Sequence, residues 1–125
     1  MEYKERALSL WRAIHRQDWD ALADFLAPDA QIFWHNTRER FTPGEFVRAN
    51  SEYPGDWTVT VERAEEWGDL VVTAIQTRAG EASFHAVSFF QMGEDGRIVR
   101  LDEYWGGDGP PPRWRIDKQI GTPME

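Results

Sequence analysis

The chain has 125 residues, 41% of them hydrophobic and 14% aromatic, and its 14 Lys and Arg against 22 Asp and Glu give a formal net charge of −8. That length suits one domain, 1–125, with a real core, and the aromatic content excludes a disordered chain. The acidic balance excludes nucleic acid as a partner, because a phosphate backbone would be repelled and the basic pairs Arg38/Arg40 and Arg113/Arg115 are short and interrupted.

Residues 3–16 predict an amphipathic helix, with Ala7, Leu10, Trp11 and Ile14 recurring at helical spacing between charged residues. Asp18 is the expected N-cap of a second helix with Leu22, Phe25 and Leu26 as its apolar stripe, ended by Pro28. Residues 30–36 (AQIFWHN) predict a first strand. Thr42 caps a third helix, with Pro43 at its first position, Glu45 in its first turn, and Phe46, Val47 and Tyr53 facing inward.

From Trp57 the period changes from helical to alternating. Strands are predicted at about 57–66, 70–78, 82–92 and 97–105. The turns at Gly68-Asp69, Gly80 and Gly93–Gly96 are too short for a crossover, so consecutive strands should form antiparallel hairpins. Helices first and strands after them imply an α+β fold with the helices packed on one face of a mostly antiparallel sheet. The tail 106–125, with three glycines followed by Pro110-Pro111-Pro112, is expected to run extended over the surface.

The chain has no cysteine, which removes disulfides, thiolate nucleophiles and cysteine-ligated zinc, and fits a reducing cytoplasm. Neither a signal peptide nor an apolar run long enough for a membrane helix is visible, so a cytoplasmic protein with no membrane partner is expected. His15, His35 and His85 are widely separated, which gives no metal-ligand spacing. No phosphate loop, nucleotide fingerprint or nucleophile elbow occurs, so no cofactor is expected.

The last strand is the most informative segment. One face carries Val99, Leu101, Glu103 and Trp105, and is apolar except for Glu103, so it should point inward. Apolar surroundings disfavour a charged carboxylate, which makes Glu103 a candidate proton donor or acceptor. The competing reading is a salt bridge to an inward Arg63 or Arg78. Ala30, Ile32, Trp34 and Asn36 form a second inward set. Trp11, Trp34, Trp57 and Trp105, with Tyr53, are candidate walls of one ligand cavity, and Asn36 and His85 are candidate polar contacts within it. The inward face of 84–91 is left open, because both of its faces are largely apolar. Trp114 is placed either at the cavity mouth or on a partner subunit.

Three strings, QDWDALADFLAPDAQIFWHN (17–36), FHAVSFFQ (84–91) and GRIVRLDEYWGGDGPPPRWR (96–115), resemble the nuclear transport factor 2-like superfamily and within it the SnoaL-like group. The resemblance implies a cone: a strongly curved sheet wraps the N-terminal helices and leaves a pocket at its open end. It also implies a homodimer formed through the convex sheet. Its members include isomerases, aldol cyclases, dehydratases and hydrolases, besides proteins that only bind ligands, so the fold alone names no reaction. Some place a functional carboxylate near the end of the last strand, which matches Glu103. Ketosteroid isomerase-like members carry an aspartate base near the position of Asn36, where an amide cannot take a proton at neutral pH.

Three readings follow. The chain is a pocket enzyme acting on a small apolar or aromatic molecule, with Glu103 as acid/base and Asn36 or a histidine polarising the substrate. Or it is a non-catalytic ligand-binding module. Or it is a dimeric interaction protein with a vestigial pocket. A small-molecule pocket is favoured, with enzyme and binder about equal.

Overall fold

A computed structural model describes residues 2–124. Two helices open the chain, α1 (Tyr3–His15) and α2 (Trp19–Asp24), and a third, α3 (Pro43–Ser51), follows the first two strands. The strands are β1 (Leu26–Trp34), β2 (Glu39–Phe41), β3 (Thr58–Trp67), β4 (Leu70–Ala79), β5 (Ala82–Met92) and β6 (Ile98–Gly107), followed by a short α4 (Arg113–Asp117). The strands make one sheet in the order β2-β1-β6-β5-β4-β3. All its neighbours pair antiparallel except β1 and β6, which are parallel. The chain can bring β1 beside β6 because the helices and β2–β5 intervene, far more than a crossover requires.

Local chemistry sets the helix ends. The Asp18 carboxylate accepts from the backbone N–H of Ala21 and starts α2. Thr42 and Glu45 form a reciprocal capping box at α3, behind Pro43. Gln17 takes a left-handed conformation (φ 60°), which turns the chain sharply between α1 and α2.

The sheet is bent by irregularities. Register shifts interrupt β1 between Leu26 and Gln31, β3 between Val61 and Arg63, and the β5–β6 pair next to Met92. Each inserts extra residues on one strand, increasing local twist and curvature. The last shift corrects the expected face of Val99. It is the inserted residue, 39% exposed, and Ile98 takes the inward place beside Leu101.

The concave side receives the helices. Ala7, Leu10, Trp11 and Ile14 of α1, Leu22 of α2 and Phe46 of α3 pack against Ile32, Val71, Ile75, Phe90, Ile98 and Leu101 of the sheet. Burial in β5 settles its orientation: Ala86, Ser88 and Phe90 face in, whereas Val87 and Phe89 face out.

Two further expectations change. The first strand begins at Leu26 rather than residue 30, because Phe25 already closes α2 and its carbonyl accepts from the N–H of Ile98. The tail is not wholly extended: β6 continues through Gly106-Gly107, and Arg113–Asp117 form a helical turn after the prolines. Pro112 starts that turn because its extended conformation (ψ 151°) suits an N-cap.

Candidate functional site

The open end of the cone holds a cavity of about 570 Å³. Its walls come from separate elements: Trp11 and Ile14 from α1, Trp19 from α2, Trp34 from β1, Trp57 from the loop before β3, and Phe84 and Trp105 from β5 and β6. Tyr53, which is 47% exposed, stands at its rim. The aromatic rings meet at steep angles. Trp34 and Trp105 lie 6.3 Å apart at 71°, and Tyr53 and Trp57 lie 5.4 Å apart at 85°.

The indole N–H groups of three of these tryptophans are spent on the protein itself. Trp11 donates to the Thr73 hydroxyl at 3.0 Å, Trp34 to Glu103 Oε1 at 3.1 Å, and Trp57 to the Pro54 carbonyl at 2.8 Å. Among the described residues, the indole N–H of Trp105 is buried without a partner. The walls therefore present mostly carbon to the cavity.

Glu103 points inward, only 1% exposed. The Ser88 hydroxyl donates to its Oε2 at 2.7 Å, and Trp34 donates to its other oxygen. The alternative salt bridge does not form: Arg63 pairs with Glu65 at 3.1 Å, and the guanidinium of Arg78 lies on the exposed side of β4. Burial pushes the Glu103 carboxyl up to about 7, and the two hydrogen bonds only partly oppose that shift. Glu103 is not itself among the described lining residues; Trp34, beside it on β1, and Trp105, two residues further along β6, are. The carboxyl thus lies behind the aromatic wall.

Asn36 is at the cavity, but its amide is committed. It donates to the backbone carbonyl of Trp105 and accepts from the Trp105 N–H at 2.5 Å. The side chain extends the β1–β6 pairing beyond Trp34, and both bonds require an amide. A carboxylate could accept from the N–H but would face the carbonyl oxygen with no donor. Asn36 is therefore a clamp on Trp105 rather than a free ligand contact.

His85 is a correction. It lies on the face of β5 opposite the cavity, because the inward positions of that strand are even-numbered. Its ring nitrogens meet Asp108 Oδ1 at 2.6 Å and Glu62 Oε2 at 3.3 Å, and the bond to Asp108 chiefly raises its proton affinity above the ordinary histidine value. His35 also faces away, stacked on Tyr104 with centroids 4.2 Å apart and bonded to Asp102 at 2.7 Å. Partial burial alone would raise Asp102, but the hydrogen bonds from Arg100 and His35 outweigh it and hold the carboxyl below its usual value. Neither histidine reaches the cavity to polarise a ligand. Trp114 is 57% exposed, lies against Arg115 and lines no part of the cavity.

Trp19, Phe84 and Glu39 line the cavity without having been singled out from the sequence. Trp19 stands at i, i+3 and i+7 with Leu22 and Leu26, so the helical spacing of the stripe expected for α2 already carried it. Glu39 belongs to a three-residue strand with no alternation to read. Phe84 was recoverable. Ser88 opposes Glu103 across the hairpin at 93–96, and opposed residues share a face. An inward Glu103 therefore fixes Ser88, and with it Phe84, as inward.

The model of the SnoaL-like domain family matches residues 7–101, and the chain belongs to that family. No curated protein matches it. A structure from Kribbella flavida DSM 17836, provisionally described as a ketosteroid isomerase, superposes with a TM-score of 0.84 at 27% identity, covering 98% of this chain and 91% of that one. An NTF-2-like protein of unknown function from Burkholderia xenovorans LB400 has a TM-score of 0.81 at 22% identity, covering 98% and 95%. An LEH-like epoxide hydrolase from M. tuberculosis reaches 0.72 at 18% identity, covering 84% and 83%. At these identities the likeness establishes the cone fold. Among the described residues no helix is long and apolar enough to cross a membrane.

The Glu103 geometry has a signed consequence for stability. Between the ordinary glutamate value of 4.5 and about 7, the folded chain keeps a proton on Glu103 that the unfolded chain has released. Stability should therefore fall as pH rises through that window, by roughly 3 kcal/mol at full effect. Urea denaturation at a series of pH values should show this slope in the wild type and its loss in Glu103→Gln. An unchanged slope in the variant would mean that this carboxyl is not the buried proton holder.

Proposed function

We propose that this chain, as a single SnoaL-like domain, is a small-molecule pocket protein that takes up one small, mostly apolar, ring-bearing ligand, and that its primary role is binding. The carrying observation is the cavity of about 570 Å³ walled by tryptophans, three of which, Trp11, Trp34 and Trp57, turn their N–H groups to protein acceptors. That volume lies within the range of sites for drug-sized ligands. Three features support binding over turnover: the amide of Asn36 is occupied, both histidines of the sheet face away, and Glu103 lies behind Trp34.

A second reading is favoured by one observation. A carboxyl with an affinity for protons near neutrality, about 7, lies one indole ring from the cavity. If Trp34 swings aside, Glu103 can exchange a proton with a bound molecule, as an isomerase, cyclase or dehydratase requires.

Calorimetric titration with 2-naphthol tests the binding reading. Saturable one-to-one uptake is expected, weakened about tenfold by Trp57→Ala or Phe84→Ala through lost aromatic contact, and retained in Glu103→Gln. Failure to saturate, or indifference to both wall substitutions, contradicts it. Turnover of any substrate that disappears in Glu103→Gln would transfer the conclusion to the second reading.

We also infer a homodimer through the convex face of the sheet. Val87, Phe89 and Tyr104 are 36–46% exposed there; Val87 opposes Tyr104 in the β5–β6 pair and Phe89 meets Tyr104 edge-on at 6.0 Å, apolar surface of the kind that a second copy covers. A cytoplasmic location is consistent with the cysteine-free sequence. Sedimentation should give twice the chain mass of 14.6 kDa, and Phe89→Lys should halve it. A wild-type monomer at micromolar concentration would contradict the inference.

A further inference from the structure

The geometry points to an organic ammonium ion as the ligand class of this cavity: a protonated or quaternary amine, its nitrogen set among the aromatic walls and its charge answered by Glu39 at the mouth. This rests on the reading of the cavity as a ligand pocket and deepens it.

The first argument is the shape of the walls. Indole and phenol rings are negative on their faces and positive at their edges. An ammonium ion gains from ring faces on several sides at once. Trp34 and Trp105 meet at 71°, and Tyr53 and Trp57 meet at 85°, so each pair forms a corner whose two rings face different directions. Phe84 adds a fifth ring, 5.8 Å from Trp57 and tilted by 44°. The positive edges of Trp11, Trp34 and Trp57 are turned away, since their N–H groups are bonded to Thr73, Glu103 and Pro54. For Trp34 the partner is a carboxyl group, which in its ionised form adds electron density to the ring.

The second argument is charge. Among the described lining residues there is no Lys, Arg or His. An anionic ligand would find no counter-charge and would enter a chain of net charge −8. The one charged lining residue is Glu39, exposed at the end of the short β2. The Thr37 hydroxyl donates to its Oε1 at 2.5 Å and steadies it at the rim. A neutral apolar ligand would gain from burial alone and make no use of Glu39. A cation gains from burial, from the ring faces and from the carboxylate together, and the protein's field draws it in.

The experiment compares two ligands of the same shape: (4-hydroxyphenyl)trimethylammonium and 4-tert-butylphenol, which differ in having N⁺ or C at one centre. Calorimetric titration of the full chain at low ionic strength is expected to show the cation binding about tenfold tighter or more, the order expected for a desolvated cation over aromatic faces. Glu39→Gln should narrow the gap between the two ligands, and Trp57→Leu should narrow it further. Equal or tighter binding of 4-tert-butylphenol overturns the ammonium inference and leaves the pocket reading intact. Binding of neither ligand at millimolar concentration overturns both.

Discussion

A carboxyl group with no cation beside it among the described residues sits on the inner face of the sheet, held by an indole N–H on one oxygen and a hydroxyl on the other. Glu103, Trp34 and Ser88 come from three neighbouring strands, β6, β1 and β5. Glu103 opposes Ser88 in the antiparallel pair and lies beside Trp34 in the parallel one. One polar group thus ties the parallel seam of the sheet to its antiparallel part. A buried polar group left unbonded is costly, so a slip in either pairing is penalised twice, once for each lost donor. The arrangement also sets the ring of Trp34, whose N–H is drawn back into the sheet and whose face forms part of the cavity wall.

The neighbouring clamp works on the other side of the same wall. Asn36 extends the pairing of β1 with β6 through its side chain and fixes the backbone of Trp105. The two residues nearest to a family-like catalytic pair are therefore both engaged in holding tryptophans. This gives a physical reason for the amide where isomerase-like relatives are expected to carry an acid: the position must donate as well as accept. It also explains why an inward carboxyl and a pocket can coexist without an obvious reaction. The acid supports the wall instead of projecting through it.

The order of elements was legible in the sequence because its signals are local. Asp18, Thr42 and Pro43 mark helix starts, and the glycine turns from Gly68 to Gly96 enforce hairpins. The inward direction of Glu103 was legible from one alternating strand. Its partners were not, because they depend on register across a hairpin and across a parallel seam between residues 69 apart in sequence. Val99 was misplaced for a related reason: a single inserted residue inverts the alternation on one side of it. His85 was drawn into the site because both faces of its strand are apolar, and only burial distinguishes the core face from the convex face. The β2 strand, which brings Glu39 to the cavity mouth, is too short to carry a period.

The wall of the cavity is coupled through Trp34 to Glu103, a carboxyl that burial raises to about 7. The indole ¹H–¹⁵N signal of Trp34, followed from pH 4 to pH 9, tests this most directly, because its proton lies between the ring and the carboxyl. A single titration is expected, with its midpoint near the value of about 7 given by burial, while the Trp57 indole signal, bonded to a backbone carbonyl, does not follow it. A Trp34 signal that is flat across neutrality, or that titrates near the ordinary carboxylate value, would contradict it.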